Sequence, residues 1–196
     1  MRRGSRLPLS APIEVDDFEK RYRGGARVRI ESLRLLGRLV LIEGGNGTGK
    51  TTLLRAMGGL IRYRGRIAGL ARTLYIGEGA SLPALFSVEG YLDCLLSIYG
   101  DASQERKETL LALFELKHIR RRRIFQLSKG QRQKLALAGG LLAGGGTLLL
   151  DEPFSGLDDG SKRRLAAYLH LDARRVLIAT HEEWPLTHKS PSRVRL

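Results

Sequence analysis

Residues 44–51 read GGNGTGKT, a glycine-rich stretch that ends in Lys50 and Thr51. It follows a compact apolar strand pattern at residues 38–43 and precedes a helical pattern that runs from about Gly49 to Met57. Its spacing fits G-x-x-x-x-G-K-[ST], in which glycines let successive N–H groups turn toward phosphate oxygens at a helix N-terminus. We therefore predict a nucleotide-phosphate site where Lys50 contacts the β- and γ-phosphates and the Thr51 hydroxyl can bind Mg²⁺.

The composition favours a single soluble domain. The chain has 196 residues, of which 42% are hydrophobic, enough for one core with a small inserted subdomain. No run reaches the roughly 18–20 apolar residues that a membrane helix needs, and the N-terminal arginines are not followed by the apolar segment of a secretory signal. The single cysteine, Cys94, suits a reducing compartment. A formal net charge of +14 indicates attraction to anions such as nucleotides, nucleic acid or anionic lipid.

The pattern along the chain predicts an α/β fold. We expect residues 1–12 to be flexible and residues 13–196 to form one domain. Alternating residues at 13–33 predict antiparallel strands, and two glycine-punctuated stretches within 61–76 predict two more. Helical spacing dominates from about residue 81 to 143, after which strand and helix alternate again. The prediction is a phosphate-loop core with a mixed, mostly parallel sheet, an antiparallel β subdomain and a helical insertion.

A second apolar strand carries two acidic residues at its end. Leu148–Leu150 precede Asp151 and Glu152, which places both acids at the carboxyl edge of the sheet, where α/β folds bind ligands. An aspartate there can hold Mg²⁺ through water, and the glutamate after it can polarise an attacking water. The phosphate loop alone is compatible with kinases, GTPases, helicases and motors, but the sequence lacks the [NT]KxD element of a GTPase. The acidic pair favours nucleotide hydrolysis.

Five motifs, in order along residues 13–185, resemble those of the ATP-binding-cassette (ABC) ATPases. The matching stretches are the Walker A loop at Gly44–Thr51, the LSKGQ stretch at Leu127–Gln131, which is similar to the LSGGQ signature, the Walker B strand at Leu148–Glu152, the D-loop at Ser155–Asp158 and the switch histidine at Thr180-His181. The resemblance implies the ABC ATPase fold, with ATP and Mg²⁺ as ligands.

The resemblance also implies a role for each matching residue. Glu152 and His181 are expected to be catalytic, and Thr51, Asp151 and Glu78 are expected to bind the metal. The residues expected to bind the nucleotide are an adenine-stacking aromatic, the phosphate loop with the residue after it, and positions of the signature and D-loop: Tyr22, Gly44, Gly45, Asn46, Gly47, Thr48, Gly49, Lys50, Thr51, Thr52, Ser128, Gly130, Gln131 and Asp158.

Two positions depart from the family pattern. Lys129 replaces the first glycine of the signature pair, although its N–H remains available to an anion. Glu78 stands where the family keeps a glutamine, so it offers an oxygen toward the metal but adds negative charge beside the phosphates.

Ser128 and the N–H groups after it form a second anion site at a helix N-terminus. In the family, that site closes over the γ-phosphate held by a partner chain.

The leading interpretation is the ATP-binding and hydrolysing subunit that energises an ABC transporter through ATP-driven dimerisation. It implies a second ATPase subunit, a separate membrane permease, and a cytoplasmic location on the inner face of the cell membrane. We expect the permease to contact the insertion near residues 78–99, through Leu82, Leu85, Phe86 and Tyr91. The alternative is a soluble ABC ATPase that acts on nucleic acid or ribosomes, which the net charge would suit. The insertion is too short for the coiled coil of chromosome-type members.

Overall fold

Eight β-strands and five α-helices lie within the residues that the computed structural model describes, namely 11–70, 72–77, 79, 81–99, 103–144, 146–181, 183–185 and 191–196. In chain order the elements are β1 (Ile13–Arg21), β2 (Arg27–Leu35), β3 (Leu39–Glu43), α1 (Lys50–Met57), β4 (Arg64–Ala68), β5 (Thr73–Ile76), α2 (Val88–Ile98), α3 (Gln104–Leu113), α4 (Lys129–Leu142), β6 (Thr147–Asp151), α5 (Asp159–Leu171), β7 (Arg175–Ala179) and β8 (Ser192–Arg195). Most of the predicted flexible segment, residues 1–10, lies outside the described residues.

A five-stranded sheet in the order β5-β6-β7-β3-β8 forms the centre of the molecule. Its described pairings are all parallel, where the sequence predicts a mixed, mostly parallel sheet. All residues of β6 and β7 are buried, as expected for parallel strands covered on both faces, and both strands confirm the predictions at 147–150 and 175–179. No sequence pattern predicts β8, a short and mostly exposed strand at the edge beside β3.

A separate three-stranded antiparallel sheet has the order β2-β1-β4. β1 and β2 confirm the antiparallel strands predicted at residues 13–33, with Val15 opposite Leu33. Two strands also form within residues 61–76 as predicted, but only β4 joins this sheet. The other, β5, pairs with β6 in the parallel sheet. The chain therefore passes from one sheet to the other between β4 and β5.

The parallel sheet separates two hydrophobic cores. Because successive strand residues point to opposite faces, Leu41 of β3 joins one core and Val40 joins the other. The first core also contains the insertion helices with α4 and α5, and the second contains α1 and the inner face of the antiparallel sheet. Leu149 of β6 belongs to the second core. Asp151, two residues further along β6, therefore faces α1.

Three helices build the predicted insertion. Ser87 caps α2 and Ser103 caps α3, each accepting a hydrogen bond from the backbone N–H three residues later. Both helices pack against α4, whose predicted N-cap, Ser128, is confirmed. None of the described helices has the length and apolar character that crossing a bilayer requires.

Two arginines bind the carboxyl ends of α4 and α5. Arg174 donates hydrogen bonds to the carbonyl oxygens of Leu141 (3.2 Å) and Ala143 (2.6 Å) and to Oδ2 of Asp172 (2.6 Å). Arg38 donates in the same way to three carbonyls at the end of α5. Burial alone would raise the pKa of Asp172, but the hydrogen bonds and charge of Arg174 outweigh burial and hold the pKa below its ordinary value. Helix-end carbonyls without intrahelical partners are thus satisfied.

We expect Arg174→Ala to lower the free energy of unfolding by about 3 kcal/mol, since it leaves a buried carboxylate and helix-end carbonyls without their donor. Urea unfolding at pH 7 measures the change, with Arg163→Ala, at an exposed position of α5, as the matched control. Equal stability of the two variants would contradict this role.

The contribution of this ion pair should also depend on pH. Because the folded-state pKa of Asp172 is lowered, the pair stabilises the protein above the unfolded-state pKa of about 3.9. The stabilisation is lost as the pH falls through the folded-state pKa, so the difference between wild type and Arg174→Ala should shrink in acid.

Candidate active site

The glycine-rich loop between β3 and α1 holds its own lysine. Lys50 is buried, and its Nζ donates hydrogen bonds to the carbonyl oxygens of Gly44 (2.7 Å) and Gly45 (3.0 Å). Gly47 and Gly49 have positive φ angles of 81° and 104°, which residues other than glycine rarely adopt. Gly49 is the N-cap of α1 and offers no side chain to the first N–H groups of the helix. Those groups can therefore bind an anion.

Thr51 and Asp151 meet between α1 and β6. Oγ1 of Thr51 donates a hydrogen bond to Oδ1 of Asp151 at 3.0 Å. The buried aspartate accepts a second hydrogen bond at Oδ2, from the hydroxyl of Tyr75 at 2.8 Å. Hydroxyl and carboxylate oxygens are the ligands that Mg²⁺ prefers, so this pair fits the predicted metal. The third predicted metal-binding residue, Glu78, lies outside the described residues.

Tyr75 is a residue of this site that the sequence motifs do not indicate. It lies on β5, and its hydroxyl also accepts a hydrogen bond from Nε of Arg55 on α1, at 3.3 Å. Burial raises the pKa of the Tyr75 phenol, and the Asp151 carboxylate adds to the increase. The phenol therefore remains protonated and able to donate at neutral pH. A prediction of strand pairing could have indicated Tyr75, because β5 lies beside the strand that ends in Asp151.

Glu152 and His181 contact each other beyond the ends of β6 and β7. Oε1 of Glu152 lies 3.0 Å from Nδ1 of His181, and the His181 N–H donates to Oε2 at 3.4 Å. Glu152 has a positive φ of 50°, and its N–H donates to the carbonyl oxygen of Ala179 at 2.8 Å. The glutamate therefore leaves the alternation of β6. A carboxylate held beside an imidazole can accept a proton from a water molecule and orient it.

Tyr22 lies beside the start of α1. Its hydroxyl shares a hydrogen bond with Oγ1 of Thr52 at 2.9 Å, and Nζ of Lys20 lies 5.5 Å from its ring centroid. The residue is 40% exposed, which leaves ring surface open to a flat ligand. This placement is compatible with the predicted contact to adenine.

The signature residues lie at the N-terminus of α4. Oγ of Ser128 accepts a hydrogen bond from the N–H of Gln131 at 3.2 Å, and Oε1 of Gln131 accepts one from the N–H of Ser128 at 3.1 Å. This reciprocal pair is a capping box. A Cβ on Gly130 would lie 3.6 Å from the carbonyl oxygen of Gly156, in the D-loop segment. Ser128 and Lys129 are exposed at this end of the helix.

Asp158 is the N-cap of α5. Its carboxylate accepts hydrogen bonds from the hydroxyl and the N–H of Ser161, both at 2.7 Å, and lies 3.2 Å from Nζ of Lys134 on α4. These donors hold the pKa of Asp158 well below its usual range. We call Ser128, Gly130, Gln131 and Asp158 the signature group.

The predicted nucleotide-binding residues therefore fall into two groups. In the described part of the chain, no hydrogen bond or ion pair joins the signature group to the phosphate loop, to Thr52 after it, or to Asp151 and Glu152. The phosphate loop, Tyr22, Thr51 with Asp151, and Glu152 with His181 surround the carboxyl edge of the parallel sheet. The signature group belongs to α4 and α5 instead.

Comparisons with known proteins point to one family. Residues 34–155 match the family model described as ABC transporter. The chain is 32% identical to the uncharacterized ABC transporter ATP-binding protein YthP of Bacillus subtilis, over 88% of this chain and 76% of that protein. It is also 32% identical to the taurine import ATP-binding protein TauB of Escherichia coli, over 81% of this chain and 69% of that protein.

Solved structures share the fold. An ABC transporter ATP-binding protein from Pyrococcus furiosus superimposes with a TM-score of 0.77, over 95% of this chain and 98% of that chain, at 23% identity. A chain of a metal-chelate type ABC transporter in an inward-facing conformation gives a TM-score of 0.67, over 87% of this chain and 73% of that chain, at 23% identity. The predicted fold class is thereby confirmed.

We expect Gly49→Ala to lower the free energy of unfolding by about 2–4 kcal/mol, from a left-handed φ and from overpacking. The added Cβ would collide with Cγ1 of Val28 on β2. Val28→Ala in the same chain removes the collision but not the cost of the left-handed backbone at residue 49. The double variant should therefore lose less free energy of unfolding than the two single variants together. Denaturant unfolding of all four proteins measures this coupling, and simple additivity would contradict the collision.

Proposed function

The chain belongs to the ATP-binding proteins of the ABC transporter family, and we propose that it energises transport by ATP-driven dimerisation, with Glu152 and His181 acting in hydrolysis. Members of this family are ATPases. We assign a role to each residue of the site and propose that a second subunit completes it.

The phosphate loop and Tyr22 are proposed to hold ATP on this chain. Lys50 already lies within the loop, where its ammonium is bonded to two loop carbonyls, so a phosphate entering the loop meets a fixed positive charge. Tyr22 is fixed to α1 through Thr52 and offers an exposed ring to the base. The nucleotide-binding residues on this side are Tyr22, Gly44, Gly45, Asn46, Gly47, Thr48, Gly49, Lys50, Thr51 and Thr52.

Thr51 and Asp151 are the proposed holders of Mg²⁺. Their oxygens lie 3.0 Å apart beside the N-terminus of α1, and both are oxygen donors of the kind a hard cation takes. Bound Mg²⁺ supplies charge neutralisation at the β- and γ-phosphates. Asp151 is buried and hydrogen-bonded at both carboxylate oxygens, so it meets the cation without first having to be ordered.

Glu152 is the proposed acceptor for the proton of the attacking water. Its carboxylate is held by the side chain and by the N–H of His181, which fixes its direction at the carboxyl edge of the sheet. His181 is more exposed than Glu152 and can extend toward the terminal phosphate from the same place. Positioning of this kind typically contributes about 10²–10⁴-fold to a hydrolytic rate.

The separation of the two groups carries the proposal of dimerisation. Within the signature group, the exposed N-terminus of α4 lies next to the D-loop segment, where Gly130 is close to Gly156. Within the described residues the signature group shares no hydrogen bond or ion pair with this chain's phosphate loop. Such a helix end suits a phosphate brought by another molecule. A second ATPase subunit supplies that phosphate on its own loop, and ATP then joins the two subunits.

We expect Glu152→Gln to reduce ATP hydrolysis by at least about 100-fold while leaving ATP binding intact, because the amide cannot accept the proton of water. The trapped ATP should then hold a dimer that light scattering detects at saturating nucleotide and not with ADP. Glu31→Gln, at an exposed position of β2, is the matched control and should hydrolyse ATP like wild type. Hydrolysis by Glu152→Gln at the wild-type rate would overturn its role, and a monomer at saturating ATP would overturn the dimer.

An apolar surface on the insertion is the proposed contact for the permease. Leu85, Phe86 and Phe125 are 75%, 41% and 59% exposed. Two backbone hydrogen bonds hold their segments together, from Ile124 N–H to the Phe86 carbonyl (2.9 Å) and from Phe125 N–H to the Ala84 carbonyl (3.1 Å). An amphipathic helix of a membrane protein would cover these side chains.

Two other residues predicted for this contact are less exposed. Leu82 and Tyr91 are partly buried and pack against the first hydrophobic core, so we propose that Leu85, Phe86 and Phe125 make most of the contact. The subunit bound through this surface would lie on the inner face of the cell membrane.

We expect Leu85→Glu combined with Phe125→Glu to abolish binding to membrane vesicles from the source cells, since charge on this surface opposes burial against an apolar helix. Sedimentation with the vesicles measures binding. Leu171→Glu, which changes an equally exposed leucine on α5, should bind like wild type. Vesicles stripped of protein by trypsin should bind none of the three proteins. Binding to stripped vesicles would indicate lipid, and not a permease, as the partner.

A further inference from the structure

We propose that Tyr75 is a positioning residue that sets the orientation of the Asp151 carboxylate for the metal ion. The inference rests on the proposed role of Thr51 and Asp151 in holding Mg²⁺. It adds a residue outside the five motifs, on β5.

The carboxylate of Asp151 is held from two sides. Thr51 on α1 donates to Oδ1 at 3.0 Å, and Tyr75 on β5 donates to Oδ2 at 2.8 Å. The terminal torsion of an aspartate has a broad energy profile, so a single hydrogen bond leaves the carboxylate plane free to rotate. Two donors on different oxygens and from different elements define that plane.

The two donors differ in what they can do when a cation binds. The Thr51 hydroxyl is a proposed ligand of the cation, and it can offer a lone pair to the metal while it still donates its hydrogen to Oδ1. Tyr75 donates to the other oxygen and is not a proposed ligand. Its hydrogen bond to Oδ2 therefore holds the carboxylate whichever way the Thr51 hydroxyl turns when the cation binds.

Tyr75 is itself fixed by its surroundings. Nε of Arg55 on α1 donates to its hydroxyl at 3.3 Å, which leaves the phenolic hydrogen free to point at Asp151. A Cβ on Gly77 would lie 2.5 Å from the hydroxyl oxygen, and one on Gly58 would lie 3.3 Å from the Tyr75 Cβ. Glycines at 58 and 77 thus leave the space that the tyrosine side chain occupies between β5 and the end of α1.

The test removes only the hydroxyl. We expect Tyr75→Phe to bind a fluorescent, non-hydrolysable ATP analogue like wild type in EDTA. The gain in affinity on adding Mg²⁺ should fall about tenfold, the lower end of the usual effect of losing a hydrogen-bond partner of a metal-binding group. Tyr63→Phe is the matched control, since Tyr63 packs against Phe18 in the antiparallel sheet, and its Mg²⁺ effect should equal that of wild type.

Asp151→Asn separates this inference from the function on which it rests. Loss of the Mg²⁺ effect in Asp151→Asn, with a reduced effect in Tyr75→Phe, supports both. Loss in Asp151→Asn with a full effect in Tyr75→Phe overturns the role of Tyr75 alone. A full effect in Asp151→Asn overturns the metal role of that residue. If Tyr75→Phe weakens binding equally with and without Mg²⁺, the tyrosine supports the site as a whole, and its specific role toward Asp151 is overturned.

Discussion

The pairing of β3 and β6 with β7 determines where the phosphate loop, the acidic pair and His181 lie. These three strands run parallel and end at the same edge of the sheet, so the phosphate loop after β3, the acidic pair at the end of β6 and His181 after β7 emerge side by side. Because side chains alternate along β6, Asp151 then points toward α1, where Thr51 donates a hydrogen bond to it. A slip of one residue between β6 and β7 would reverse this arrangement, because each side chain would move to the other face. The complete burial of β6 and β7 opposes such a slip.

The cationic composition has a structural use as well as an electrostatic one. Arg38 and Arg174 direct several donors at carbonyl oxygens where α4 and α5 end, and a guanidinium suits this task because its N–H groups form a planar fork. Arg132 likewise donates to the Leu127 carbonyl, immediately before the signature helix, at 2.6 Å. Some of the arginines that contribute to the net charge of +14 therefore bind groups of the protein itself. The net charge is for that reason weaker evidence for a nucleic-acid partner.

Local patterns were sufficient for much of the fold. The glycine spacing at 44–51, the apolar strands before it and before Asp151, and the capping serine of α4 are each determined by residues within one element. The residues that the sequence did not reveal act across elements. Arg38 meets carbonyls more than a hundred positions away, and Tyr75 reaches Asp151 only because β5 joins the parallel sheet instead of the antiparallel one. Such contacts depend on topology, which periodicity does not encode.

The hydrogen bonds of Lys50 within its own loop affect the free energy of nucleotide binding. The ammonium already has two carbonyl partners, and the loop around it already has the backbone angles that glycine permits. An arriving phosphate therefore exchanges one set of oxygen partners for another and does not have to order a random segment. Ordering costs otherwise reduce affinity, at about 0.5–1.5 kcal/mol for each flexible side chain that is immobilised. The loop acts as a template, and the rate of nucleotide capture should be set by diffusion and charge more than by loop closure.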